Sequence, residues 1–224
     1  MNTPRYDAYA FIHKGLRAFM AHTLVRTGRL DVHDPAELAE VSEELRALLT
    51  ICRHHLHNEN TFVHPAIAAR APGACERVEH EHLEHEAAID ELEGMIDTLP
   101  GDAGALRRLY LRLSAFVAEN FEHMQHEETH MNAALWDTHS DEEIIAIEQR
   151  IVASHQPQEM MLAMRWMLPH LSPDERSAML GGMRATAPAE AFAGILGAIR
   201  PLLGGRDWRK LAQALSQQIG RAHV

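Results

Sequence analysis

The chain is poor in cysteine, in aromatic residues and in positive charge. Two cysteines, Cys52 and Cys75, with no C-x2-C pair, cannot build a disulfide framework. Lysine and arginine number 21 against 32 aspartates and glutamates, a formal charge of −11. A chain this acidic lacks the electrostatic footprint of a nucleic-acid binder, because phosphates would repel it. No stretch approaches 18 uninterrupted apolar residues, so no membrane span is expected. Met1 to Ala10 shows no basic start followed by an apolar run, so no signal peptide is expected either. With so few thiols, the expectation is a reduced, cytoplasmic protein. No segment alternates with a period of two over a useful length, which argues against strands.

What is present is ordinary globular material, 46% hydrophobic and 24% charged, with one excess. Seventeen histidines stand among the 224 residues, roughly three times an average share. A chain of this length buries about 70% of its unfolded surface without help. Any metal must therefore serve another purpose than holding the fold together. Fourteen of the 17 histidines precede residue 140, leaving only His155, His170 and His223 beyond it. Ser140-Asp-Glu-Glu reads as a helix N-cap with an acidic first turn. This predicts two parts, residues 1–139 and residues 140–224.

Apolar positions at helical spacing fill about 4–28, 35–70, 74–99 and 103–136. Between them lie Thr27–Pro35, Ala71-Pro-Gly73 and Pro100-Gly-Asp-Ala-Gly104, all turn chemistry. Four long helices with short connections predict an all-α, antiparallel, up-down-up-down four-helix bundle. Beyond 140 come shorter patterns near 141–154, 157–168, 173–185, 188–203 and 206–219, with Gly181-Gly182 and Gly204-Gly205 as interruptions. Six of the 11 methionines fall between Met160 and Met183 and read as fillers of a small helical core. Arg200, Arg206, Arg209 and Lys210 read as a solvated face. The region from 140 carries no recognisable chemistry, and a small helical cap or a homodimer surface is the expectation for it.

A helix turns about 100° per residue, so a helical wheel separates inward from outward histidines. His13 shares a face with Tyr6, Tyr9, Leu16, Met20 and Leu24. His55 and Glu59 share one with Leu45, Leu48, Cys52, Phe62 and Ala66. His82 and His85 lie on the seam Val78, Ile89, Leu92, Ile96 and Leu99. His123 and Glu127 align with Leu113, Phe116, Asn120, Met131 and Ala134. His22, His54, His57, His80 and His126 point away, and His130 is borderline. A single inward histidine is more often a hydrogen-bonded core residue than a ligand. Here five would have to be, and two buried carboxylates would lack cations, at several kcal/mol each. A metal cluster supplies the missing charge.

The expected ligand set is therefore His13, His55, Glu59, His82, His85, His123 and Glu127. Two His-x3-Glu pairs on facing helices let both carboxylates bridge two ions. Three histidines then fall to one ion and two to the other, with a solvent-derived bridge and one open position. Nitrogen and oxygen donors without thiolate suit iron best, with manganese or zinc also compatible.

The pattern His13 … His55-Leu-His-Asn-Glu59 … His82-Leu-Glu-His85 … His123-Met-Gln-His-Glu127 resembles the hemerythrin-like cation-binding (HHE) domain over residues 5–138. That resemblance implies a four-helix bundle around a non-heme di-iron centre. In hemerythrins such a centre binds dioxygen reversibly; related bacterial domains are linked to oxygen or redox sensing, iron handling, and nitric-oxide or peroxide responses. The chain departs from the hemerythrin pattern in two places. The third helix offers His82-x2-His85 where hemerythrins have His-x3-His, leaving Glu81 as a substitute. The fourth helix offers Glu128 where they have the aspartate of His-x4-Asp, although Glu127 sits better inward. A ferritin-like site is disfavoured, since it needs an inward carboxylate on the first helix and only His13 is there. Cys52 reads as a packer, and Tyr9, one turn from His13, as packing or a hydrogen-bond partner behind the ligands. Two functions follow as expectations: binding or sensing of a diatomic or peroxide ligand, or an oxidase or peroxidase at the same pair. An iron store or structural zinc site is a weaker third.

Overall fold

A computed structural model describes residues 5–99 and 102–222, and among these every regular element is helical. Met1–Pro4, Pro100 and Gly101 of the third turn, and His223 and Val224 lie outside the described residues. The first rod is α1 (Ala10–Gly28), whose leading Tyr9 and Ala10 N–H groups donate to Asp7 Oδ1. The second begins as α2 (Pro35–Asn58), where Asp34 accepts from the Ala36 and Glu37 N–H groups ahead of a proline pre-set for the first turn. It continues through a π-helical turn, Glu59–Val63, into α3 (His64–Arg70). The third rod is α4 (Glu76–Ile96). The fourth is α5 (Ala103–His126), capped by Asp102, and it too passes through a π-turn, Glu127–Met131, into α6 (Asn132–Thr138). Each rod packs on its predecessor, and α5 closes back against α1. This is the expected bundle.

The bundle core is two clusters rather than one. The larger runs from Leu16, Phe19 and Met20 through Leu45, Leu48 and Leu56, then Ile89, Leu92 and Leu99, to Ala105, Leu109, Leu113, Phe116 and Met124. The smaller gathers Tyr9, Val63, Ile67, Cys75, Val78, Met131 and Leu135. Between them every rod places a histidine, so a polar layer cuts the apolar core in two.

The remaining helices are α7 (Asp141–Ser154), α8 (Pro157–His170), α9 (Pro173–Thr186), α10 (Ala189–Ile199) and α11 (Gly205–Ala222). Ser140 and Glu143 form the capping box of α7, and Ser172 and Glu175 repeat it on α9. Ile144 and Ile147 of α7 extend the smaller bundle cluster. Helix α8 lies along α1, with Trp166 stacked on Phe19 at 3.9 Å between ring centres. Its other side joins Leu180, Phe192, Ile199, Leu203, Leu211 and Leu215 in a third cluster, where Met160, Met164, Met179 and Met183 also pack. Gly181 and Gly182 do not interrupt α9, which runs through them.

Candidate metal centre

Six side chains from four rods converge in the polar layer. His13 of α1 and His55 of α2 bring their Nε2 atoms to 3.1 Å from each other. His82 of α4 and His123 of α5 do the same at 3.0 Å. Glu59 and Glu127 straddle the two pairs. Glu59 sets Oε1 3.4 Å from His55 Nε2 and Oε2 3.5 Å from His82 Nε2. Glu127 sets Oε2 3.4 Å from His13 Nε2 and Oε1 3.2 Å from His123 Nε2. The result is two groups of four donors, His13–His55–Glu59–Glu127 and Glu59–His82–His123–Glu127, which share both carboxylates.

The outer nitrogens show which way the inner ones point. His13 Nδ1 donates to Glu128 at 3.1 Å, and Arg17 holds that carboxylate with two further bonds. His123 Nδ1 donates to Glu81 at 2.6 Å, itself held by Arg77. His82 Nδ1 donates to Asn60 Oδ1 at 2.7 Å. A neutral imidazole whose Nδ1 carries the proton presents a lone pair at Nε2. With the Nδ1 atoms of His82 and His123 each held by an oxygen, their Nε2 atoms turn toward each other across 3.0 Å. Two nitrogens each ~2.1 Å from one ion and at right angles would stand about 3 Å apart. All four oxygens of Glu59 and Glu127 are buried without a formed hydrogen bond; burial raises Glu127, but the His123, His13 and His82 rings beside it hold it well below the usual carboxylate range. Burial, and then the charge of Glu127, push Glu59 well above the usual carboxylate range. Donor set, spacing and unbonded oxygens all fit metal cations. Thiolate is not part of the set: Cys52 sits in the larger apolar cluster, and burial raises its thiol to about 12.

Of the seven residues expected from the sequence, six make up these groups and His85 is in neither. Within these two groups the imidazoles divide two and two, where three and two were expected. His85 lies one turn along α4, its ring edge-on to His123 at 4.8 Å, and it lines a surface cleft with Arg112 and Glu119. Glu81 and Glu128 stand behind His123 and His13 rather than between the pairs. His130 is exposed and stacks on His126. His54 points outward toward His155 and Glu159 on the flank of α8.

The sequence reading missed His64, which is buried and stacks on His82 at 4.9 Å between ring centres. The cause is the π-turn. Five regular helical positions are about 140° apart, and one inserted residue removes about 100° of that. His64 donates its backbone N–H to the Glu59 carbonyl, the i→i+5 bond of that turn, and so comes round to the side of Glu59. The same shift turns Val63 and Ile67 inward in place of Phe62 and Ala66, and Asn132 and Leu135 in place of Ala134. Pro65 was the available signal: it has no N–H to bond back along the rod.

No curated protein and no solved structure matches the chain. A family model does: the hemerythrin HHE cation-binding domain matches residues 6–135. That span takes in all six converging side chains, most of the four rods and both π-turns. The chain belongs to the hemerythrin HHE cation-binding family, and its bundle carries the His and Glu groups that such a domain needs to hold cations.

Proposed function

We propose that the bundle holds two metal ions, one on His13 and His55, the other on His82 and His123, with Glu59 and Glu127 bridging them. The sharing of both carboxylates between two histidine pairs carries this reading. Imidazole and carboxylate donors without thiolate favour iron over copper(I) or a structural thiolate zinc site. Four protein donors per ion would leave room for a small exogenous ligand. An iron pair supplies redox chemistry toward dioxygen, nitric oxide or peroxide. The chain's own residues do the rest. Glu128, Glu81 and Asn60 fix the tautomers of His13, His123 and His82 and strengthen them as donors. The apolar clusters on either side keep bulk water from the layer. We take the protein to be a binder or sensor of such a ligand, since no separate substrate-recognition motif accompanies the site.

The test is metal analysis of the purified chain, then anaerobic reduction and exposure to oxygen with the visible spectrum followed. Two irons per chain and a reversible band support binding. Irreversible bleaching with repeated consumption of oxygen or peroxide would make it an oxidase or peroxidase. Zinc alone, without a redox change, would overturn both iron readings.

A further inference from the structure

His64 is buried to 2% exposure, and neither of its ring nitrogens has a hydrogen-bond partner. Its neighbours along the rod, Val63 and Ile67, belong to the smaller apolar cluster. An apolar ring would fill the same place without stranding two polar atoms, so packing does not account for an imidazole there. The residue is also placed with some care by the backbone, because only the π-turn brings it beside Glu59 and over the His82 ring. Yet it is in neither group of converging donors. One more buried donor without a partner stands at this end of the site, the Tyr9 hydroxyl, one turn before His13.

We propose that His64 is the hydrogen-bond donor for a small anionic or polarised ligand, of the dioxygen, peroxide or azide kind, taken up beside the His82–His123 ion. The inference rests on the metal pair proposed above. His64 acts through an N–H directed at the ligand, not as a ligand of the ion itself. It is thus a specificity-determining residue: ligands that accept a hydrogen bond are held, and those that cannot leave two buried nitrogens unpaired.

Azide is the probe, titrated by visible absorption into the iron-loaded full chain, with iron per chain measured alongside. His64→Phe keeps the ring shape and removes both nitrogens; His64→Gln keeps a donor. Both variants are expected to retain two ions. Azide should bind about tenfold or more weakly to the phenylalanine variant, the scale of one hydrogen bond to a charged acceptor, and the glutamine variant should recover part of that loss. The metal-free His64→Phe chain should also melt higher than the metal-free parent, because it strands no polar atoms. Unchanged azide affinity in His64→Phe, loss of an ion from it, or a lower melting point when metal-free would each overturn the proposal. A parent chain that takes up two ions but no azide overturns it as well, while leaving the metal pair standing. A parent chain that takes up no ions instead sinks the metal-pair reading.

Discussion

His54 and His55 are chain neighbours with opposite fates. About 100° of helical turn sends His55 to face His13 across 3.1 Å, while His54 looks out at Glu159 at 3.5 Å. His55→Ala or Glu127→Ala should therefore cut metal content by at least one ion, and His54→Ala should leave it unchanged. Elemental analysis of the three variants decides this, and equal content in all would refute the assignment. At this scale the inward residues were legible because each breaks an otherwise apolar stripe. The partners behind them were not. Asn60, Arg17 and Arg77 look like ordinary surface residues in the sequence, and only the folded rods show which carboxylate or imidazole each one holds.

Helices with uniform geometry are what a wheel assumes, and α1 and α4 satisfy it from end to end. The second and fourth rods satisfy it only up to Glu59 and Glu127, where each inserts a residue and the buried stripe moves over by one. The insertion sits at the two shared carboxylates, which fits the tendency of π-turns to mark functional positions. Spacing alone does not reveal them, so His64 and Asn132 appeared only with the structure. Caps, by contrast, were plain: Ser140 and Ser172 start helices as read. Glu143 of the first of these boxes is held down to about 2, chiefly by the Arg70 guanidinium and then by the Ser140 N–H. Its folded value lies below its ordinary 4.5. The stabilisation it gives is thus complete above that value and is lost as the pH falls toward about 2. Glu143→Gln should flatten this part of the acid-unfolding curve, followed by circular dichroism; an unchanged curve would refute the link.

Across the whole molecule, the docking of the C-terminal helices was the least legible feature, because they pack on surfaces that other segments create. The notch that receives α8 is Gly15 of α1. A Cβ there would come 2.9 Å from Met167 Cγ and 3.1 Å from the Met167 backbone nitrogen, and backbone cannot step aside as a flexible side chain can. Beside the notch, Phe19 stacks on Trp166, and Lys14 reaches Glu175 at 2.5 Å. Gly15→Ala should push α8 away and destabilise the chain by about 1–3 kcal/mol, the usual scale of overpacking. Thermal melting reads the loss, and a change in Trp166 fluorescence reads the displacement. A variant as stable as the parent with an unshifted emission would contradict it.

Helix α1 is a party wall: His13 hangs on one side of it and the α8 notch is cut into the other, two residues along the chain. Anything that fixes the rotation of this wall is felt in both rooms. By thermodynamic reciprocity, whatever α8 docking contributes to the hold on an ion at His13, that ion returns to the docking of α8 by the same factor. Loading the centre should then slow hydrogen exchange in α8, and Gly15→Ala should weaken ion binding although it touches no donor. A wall of this kind would let an event among the histidines be reported by helices that contribute none of the converging donors.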